Sequence, residues 1–211
     1  GKNCEIFPGA VISAIPQDLK FNGEDSLVVI NDNTTIRECV TINRGTSDRG
    51  ETTIGKNCLI MAYCHVAHDC IIGDNCIFSN NSTLAGHVSV GNHAILAGFV
   101  AVHQFCSIGD HAFIAGGSLV RKDIPPYVKA AREPISYVGI NSVGLRRRGF
   151  KASKIQEIQN IYRILFQNKY NNSQAADIIE AELAATPERD EILQFIKNSQ
   201  RGIMKGYFQK N

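Results

Sequence analysis

The chain has 211 residues, of which 44% are hydrophobic and 20% charged, and a formal net charge of +2. That size suits one large domain or a medium domain with an appendage, the balance is wrong for a disordered chain, and the small charge gives no reason to expect nucleic-acid binding over the whole surface. No apolar run approaches the roughly 20 residues a membrane-spanning helix needs, and no signal peptide is visible.

In chain order, apolar residues recur every six positions, at Ile6 and Ile12, then at Ile30, Ile36 and Ile42. From Ile54 the register is unbroken through twelve hexads, from IGKNCL (54–59) to VRKDIP (120–125), each opening on an apolar residue. Two polar stretches, QDLKFNGEDS (17–26) and TSDRGETT (46–53), read as loops that leave the coil and return in register. An apolar–Gly pair recurs every eighteen residues, at 54–55, 72–73, 90–91 and 108–109. Three hexads therefore make one coil, and the spacing predicts a triangular solenoid of short parallel strands with residues eighteen apart stacked at about 4.8 Å. General crossover rules favour a right-handed coil.

The repeat stops after Pro125-Pro126. Residues 127–150 read as a linker packing back on the coil. From about Ser153 the period becomes helical, with Ile155, Ile158, Ile161, Tyr162, Leu165 and Phe166 on one face. A second helix is expected near Ser173. A third opens at Pro187, with Glu188, Asp190 and Glu191 in a first turn where negative charge suits the helix dipole. The domain division is 1–126 for the coil, 127–150 for the linker and 151–211 for a small helical domain.

The seven cysteines form no compact secreted framework and read as free thiols in a reducing cytoplasm. Cys4, Cys58, Cys64, Cys70, Cys76 and Cys106 share the fifth hexad position with Ser82, Val88, Ala94, Val100, Ala112 and Ser118. This is a slot for small inward residues, where Cys behaves as a small hydrophobe. Structural zinc sites use cysteine pairs two to four residues apart, and none occurs.

The histidines divide differently. His93 and His111 occupy equivalent corners one coil apart, where Asn57 and Asn75 stand in earlier coils, and read as turn residues. His68, His87 and His103 fall on the same face of three successive coils, with His65 approaching from the preceding hexad. Two chemistries compete for this cluster. Zinc would need three converging ligands and an open position, as in hexapeptide-repeat carbonic anhydrases. General-base catalysis needs one His held by a carboxylate, which His68-Asp69 supplies, and Gly86 one coil up offers an N–H for an oxyanion.

The stretches QDLK (17–20), NRGT (43–46), HVAHDC (65–70), NNSTLAGHVSVG (80–91), AVHQFC (101–106), DIPPYV (123–128) and GLRRRGF (144–150) resemble the UDP-N-acetylglucosamine 3-O-acyltransferases, the hexapeptide-repeat family of the first step of lipid A synthesis. The likeness runs from the first residue through the C-terminal helices. It implies a mainly β fold, a left-handed parallel β-helix followed by a small C-terminal α-helical domain. It also implies several more coils before residue 1, so that GKNCEIFPG reads as the middle of a longer chain.

By the same resemblance, a 3-hydroxyacyl chain passes from acyl carrier protein to the glucosamine 3-hydroxyl of UDP-N-acetylglucosamine. His68 would be the base, Asp69 its orienting carboxylate and Gly86 the oxyanion donor. Asp18, Lys20, His65 and His87 would bind sugar and phosphates, and His103 and Gln104 would line the pocket. Asn141, Arg147 and Arg148 would contact the nucleotide or the phosphopantetheine phosphate, arginine suiting phosphate through its forked donors. Val143 departs from the family pattern, which has a glutamate there.

Gly116 stands at the position that limits acyl length and leaves the groove open, while Phe113 narrows it again, so a long chain is expected. The resemblance further implies a cytoplasmic homotrimer with active sites between subunits. No metal and no cofactor beyond the donor's phosphopantetheine is expected. The acidic carrier protein would meet Arg146–Arg148 and the basic C-terminal tail. A related N-acyltransferase of the same pathway shares the coil and normally adds an N-terminal uridine-binding domain.

Overall fold

The computed structural model describes residues 1–167 and 170–206; residues 207–211 of the basic tail lie outside the described residues. Each hexad contributes a short strand built from its last residue and the first of the next, as in Leu59–Ile60, His65–Val66 and Ile71–Ile72. Strand alternation turns the first of the two outward and the second inward. Ile60, Val66 and Leu84 are accordingly fully buried.

The fourth hexad position makes the corner. Asn57, Asn75, His93 and His111 at one edge, and Asp69, His87 and Phe105 at another, have φ between 54° and 62°. This left-handed region suits Asn, Asp and His better than bulky residues. The turn returns the fifth residue to the interior, where Cys58, Cys64, Cys70, Cys76, Val88, Ala94 and Cys106 form a buried column lining the prism.

Three corners complete one coil, and the strands then stack in parallel. Ile77 pairs with Leu59 and Ile95, Thr83 with His65 and Ala101, and Ser89 with Ile71 and Ser107. Among the described residues three faces result, the first opening with Glu5–Ile6, the second with Val11–Ala14 and the third with Leu27–Ile30. The polar stretch 17–26 is a loop between second and third faces. The second loop is shorter than expected, because Glu51–Ile54 already pairs in parallel with Leu27–Ile30.

The apolar–Gly pairs have a steric cause. Asp74, Asn92 and Asp110 each use a side-chain oxygen to accept the backbone N–H eighteen residues earlier, from Lys56, Asp74 and Asn92 at 2.7, 2.8 and 2.9 Å. Those oxygens occupy the space a side chain on the preceding coil's glycine would need. A Cβ on Gly73 would lie 2.8 Å from Asn92 Oδ1.

Within residues 127–150, expected as a linker packing back on the coil, residues 128–140 continue the first face before a short helix begins. Val128–Ala131 pairs in parallel with Phe113–Ile114, Ser136–Ile140 returns antiparallel, and Lys205–Gly206 pairs with that strand. Strands of four and five residues alternate with period two here, so a search for sixes passes over them. Among the described residues four helices follow: α1 (Ser142–Arg147), α2 (Ala152–Gln167), α3 (Asn172–Glu182) and α4 (Pro187–Asn198). Helix α2 seals the hairpin through stacked Tyr137, Tyr162 and Phe166, and the fully buried Tyr162 hydroxyl donates to Pro126 O at 2.5 Å. No helix among the described residues is long and apolar enough to cross a membrane.

Gly73→Ala forces Asn92 off its hydrogen bond and is expected to cost about 1–3 kcal/mol by overpacking. Thermal denaturation beside the wild type measures this, and an unchanged midpoint would contradict the steric reading of the apolar–Gly period.

Candidate active site

At the corner between the second and third faces, His68 holds the third hexad position and Asp69 the fourth. The left-handed turn at Asp69 aims its side chain back along the corner, where it is fully buried. Oδ1 accepts the backbone N–H groups of Thr46 at 2.9 Å and Arg49 at 3.3 Å. Oδ2 accepts the Thr46 hydroxyl at 2.7 Å and lies 2.8 Å from His68 Nδ1. Burial alone would raise this carboxyl, but the bonds from His68 and Thr46, with the charge of His87, outweigh it and hold the group below the usual carboxylate range.

An ionised carboxylate only accepts, so in the neutral form of the ring His68 Nδ1 carries the proton and Nε2 presents its lone pair. Nε2 faces Gly86, where a Cβ would lie 2.6 Å away. The absence of a side chain at Gly86 is what lets the imidazole lie against the next coil. The Gly86 N–H donates to no group among the described residues.

His87 packs edge-on to His68 with ring centroids 5.0 Å apart, and its other side stacks on Phe105 at 4.5 Å. Its Nδ1 lies 3.1 Å from Asp48 Oδ2. His65, on the second face, meets the Thr41 hydroxyl at 2.7 Å, and burial followed by the neighbouring His68 lowers its pKa.

The other expected site residues do not join this cluster within one chain. His103 and Gln104 are exposed one coil beyond Gly86, with His103 Nδ1 3.1 Å from Gln104 O. Asp18 and Lys20 sit in the first loop, where the Asp18 carboxylate accepts the Lys20 N–H at 3.0 Å. That loop reaches the site indirectly, since Glu24 accepts the Ser47 N–H at 3.0 Å beside Thr46.

Arg147 lines a groove of about 400 Å³ on the first face with Ile95, Phe113, Lys129 and Val143. Asn141 and Arg148 are committed to the corner between third and first faces. Asn141 Nδ2 donates to His111 O at 2.9 Å, its Oδ1 caps α1 by accepting Gly144 N–H at 3.2 Å, and Arg148 Nη2 donates to His93 O at 3.0 Å. Gly116 is exposed at the corner between first and second faces, its backbone against Gly98 O, with Phe113 on the first face beside it.

The cysteines play no part in the site. Burial pushes the Cys64 and Cys106 thiols up to about 11 and the Cys70 thiol up to about 12, so these three stay protonated at neutral pH. Cys70 follows Asp69 directly, yet its Sγ turns inward toward Ala85 O at 3.2 Å.

A family model described as UDP-N-acetylglucosamine O-acyltransferase, domain 2, matches residues 123–204, and one for bacterial transferase hexapeptide repeats matches 51–86. The acyl-[acyl-carrier-protein]–UDP-N-acetylglucosamine O-acyltransferase of Myxococcus xanthus is 45% identical over 97% of this chain and 80% of its own length. That of Aquifex aeolicus is 53% identical over 95% and 77%. The chain belongs to the UDP-N-acetylglucosamine O-acyltransferase family.

The crystal structure of the family member from Bacteroides fragilis superimposes with a TM-score of 0.95 at 52% identity, covering 96% of this chain and 80% of that one. Superposition preserves hand, so this coil winds as the family's does, in agreement with the left-handed β-helix the resemblance implied. Thr46, Arg49, Asp48 and Phe105 are site residues that hexad counting passed over. Three of them lie in the second loop, and their only signal was that the loop interrupts the coil one turn before HVAHDC.

Thr46→Val leaves Asp69 Oδ2 short of a charge-assisted hydrogen bond and is expected to cost about 1.5–3 kcal/mol at that contact. Turnover should fall with it, and Thr46→Ser should restore both. Steady-state kinetics and melting of the three proteins test this, and a fully active Thr46→Val would show that the loop does not hold the site.

Proposed function

We propose that the chain moves a 3-hydroxyacyl group from acyl carrier protein to the 3-hydroxyl of UDP-N-acetylglucosamine, with His68 as general base. The observation that carries the reading is His68 Nε2, free and facing Gly86 while Asp69 fixes Nδ1. The names of the family relatives supply the substrates.

In this mechanism Nε2 takes the proton of the sugar 3-hydroxyl as its oxygen attacks the thioester carbonyl. Asp69 stabilises the imidazolium so formed, as the carboxylate of a catalytic triad does. The tetrahedral oxyanion accepts the Gly86 N–H. Collapse breaks the carbon–sulfur bond, and the imidazolium returns its proton to the departing phosphopantetheine thiol. His65, His87, Asp18 and Lys20 then belong to the sugar and phosphate end, and His103 and Gln104 to the wall of the pocket.

Arg147 and Arg148 lie across the prism from His68, so a complete site needs both corners brought together by a second copy. A homotrimer does this, each cleft taking His68 from one subunit and α1 from its neighbour. The donor's phosphopantetheine is the only prosthetic group the reaction uses, and a cytoplasmic location suits both substrates. Gly116 leaves the acyl groove open, which favours long donors.

Zinc at His68, Asp69 and His87 is the second reading, since one ligand atom from each lies within 4.8 Å of the others. All four acceptor sites of the Asp69 carboxylate are already occupied, by Thr46 twice, Arg49 and His68. Two imidazoles then remain, where catalytic zinc takes three protein ligands.

An assay with UDP-N-acetylglucosamine and a panel of 3-hydroxyacyl carrier proteins tests the proposal. The expected result is an alkali-labile ester product, preference for long chains, indifference to chelator, and a loss of about 10²–10⁴-fold in turnover for His68→Ala. Chelator-sensitive activity would favour zinc, an alkali-stable amide would favour N-acylation, and unchanged turnover of His68→Ala would remove the base.

A further inference from the structure

Outside the dyad, the structure holds a half-buried carboxyl with no part in the reaction above. Glu191 on α4 accepts the hydroxyl of Tyr127, the last residue of the corner between third and first faces. Tyr127 has φ 65°, the left-handed conformation the coil imposes at its other corners, Phe105 included. Its ring stacks on His111, 5.5 Å away, and His111 stacks on His93 at 4.7 Å.

This column is the seat of α1. Asn141 at the start of α1 donates its N–H to Tyr127 O at 2.7 Å and its Nδ2 to His111 O. Arg148 at the end of α1 donates to His93 O, and Phe150 lies edge-on to both His111 and Tyr127. Burial lowers the His111 pKa to about 4, so the column is uncharged at neutral pH and does not repel Arg148. Thus one hydrogen bond from the helical domain fixes the end of a stack on which the arginine-bearing helix rests.

We propose that Tyr127 and Glu191 are positioning residues for α1 and its exposed Arg147, the side chain the acyltransferase reading assigns to phosphate, so that docking of α4 on the coil sets affinity for the sugar nucleotide. This rests on the acyltransferase reading for its ligand. The groups facing Glu191 are Tyr127 and Asp110 from the coil, Tyr162 from α2, and Glu188 on its own helix, which pairs with Lys154 of α2 at 2.9 Å. Burial pushes the Glu191 carboxyl up to about 7 against the pull of the Tyr127 hydrogen bond, with Asp110 and Glu188 adding repulsion.

Docked α4 therefore holds a proton that a free glutamate carboxyl releases at its ordinary value of 4.5. Docking is at full strength below that lower value and weakens as pH rises through about 7.

The test is calorimetric titration of UDP-N-acetylglucosamine into the whole protein between about pH 5 and 8, with wild type, Glu191→Gln and Tyr127→Phe. Tyr127→Phe should weaken binding by about fivefold, the worth of one hydrogen bond, with turnover at saturation little changed. The ratio of wild-type to Glu191→Gln dissociation constants should climb severalfold across the window, because glutamine does not ionise. A flat ratio overturns the proposal, even if both variants melt lower.

If the wild type neither binds the nucleotide nor transfers acyl groups, the acyltransferase reading fails by itself. Amide exchange in α1, corrected for intrinsic rates, then decides the positioning claim. Protection that falls with pH in the wild type but not in Glu191→Gln supports it, and equal protection overturns it.

Discussion

Each coil is tied to the next by short parallel ladders in which one backbone N–H meets the carbonyl seventeen residues on. Leu59 N–H donates to Cys76 O at 2.9 Å, His65 N–H to Ser82 O at 3.0 Å and Ile71 N–H to Val88 O at 2.9 Å, one on each face. A two-residue strand has little else to hold it, so these bonds and the inward column must recur without error. Residues eighteen apart are thereby forced into contact, and every other feature follows from that stacking. It places Asx side chains against glycines at one corner and lays His68 on Gly86 at another. At the first of these corners it also stacks His93 on His111, and Tyr127, sixteen residues further on, extends that column.

The His68–Asp69 dyad is built on a structural device of the coil. The left-handed corner that elsewhere takes Asn57 or Asn81 takes Asp69, and the same turn that closes a coil aims its carboxylate at the preceding residue's imidazole. Burial would normally oppose a charge there. The second loop supplies the compensating donors, two backbone N–H groups and the Thr46 hydroxyl. The loop is therefore part of the site, although it interrupts the repeat that builds the scaffold.

The coil was legible because its period repeats through twelve hexads, each with an apolar first residue and all but the last with a small fifth one. The same register removed the cysteines around HVAHDC from consideration, and the structure buries Cys64 and Cys70 in the inward column. His68, Asp69 and Gly86 could be put together because eighteen residues separate His68 from Gly86. Periodicity is silent where the chain leaves it. Thr46 and Arg49 reach Asp69 from a loop whose path no repeat dictates, and the hairpin over 128–140 changes to period two. His103 shares a face with His68 but points to solvent, because its second hexad position directs it away from the corner. The placement of Arg147 and Arg148 on a different corner from His68 follows from the hairpin and α1, neither of which the hexads encode.

Under the proposed function, His68 of one copy and α1 of another complete one active site. Mixing two impaired variants, His68→Ala and Arg147→Ala, under conditions that exchange subunits measures it directly. If sites form between subunits of a trimer, random assembly gives about a quarter of the clefts both intact residues, and activity should return to about that fraction of wild type. No recovery beyond the sum of the separate variants, with exchange verified by differently tagged chains, would contradict a shared site.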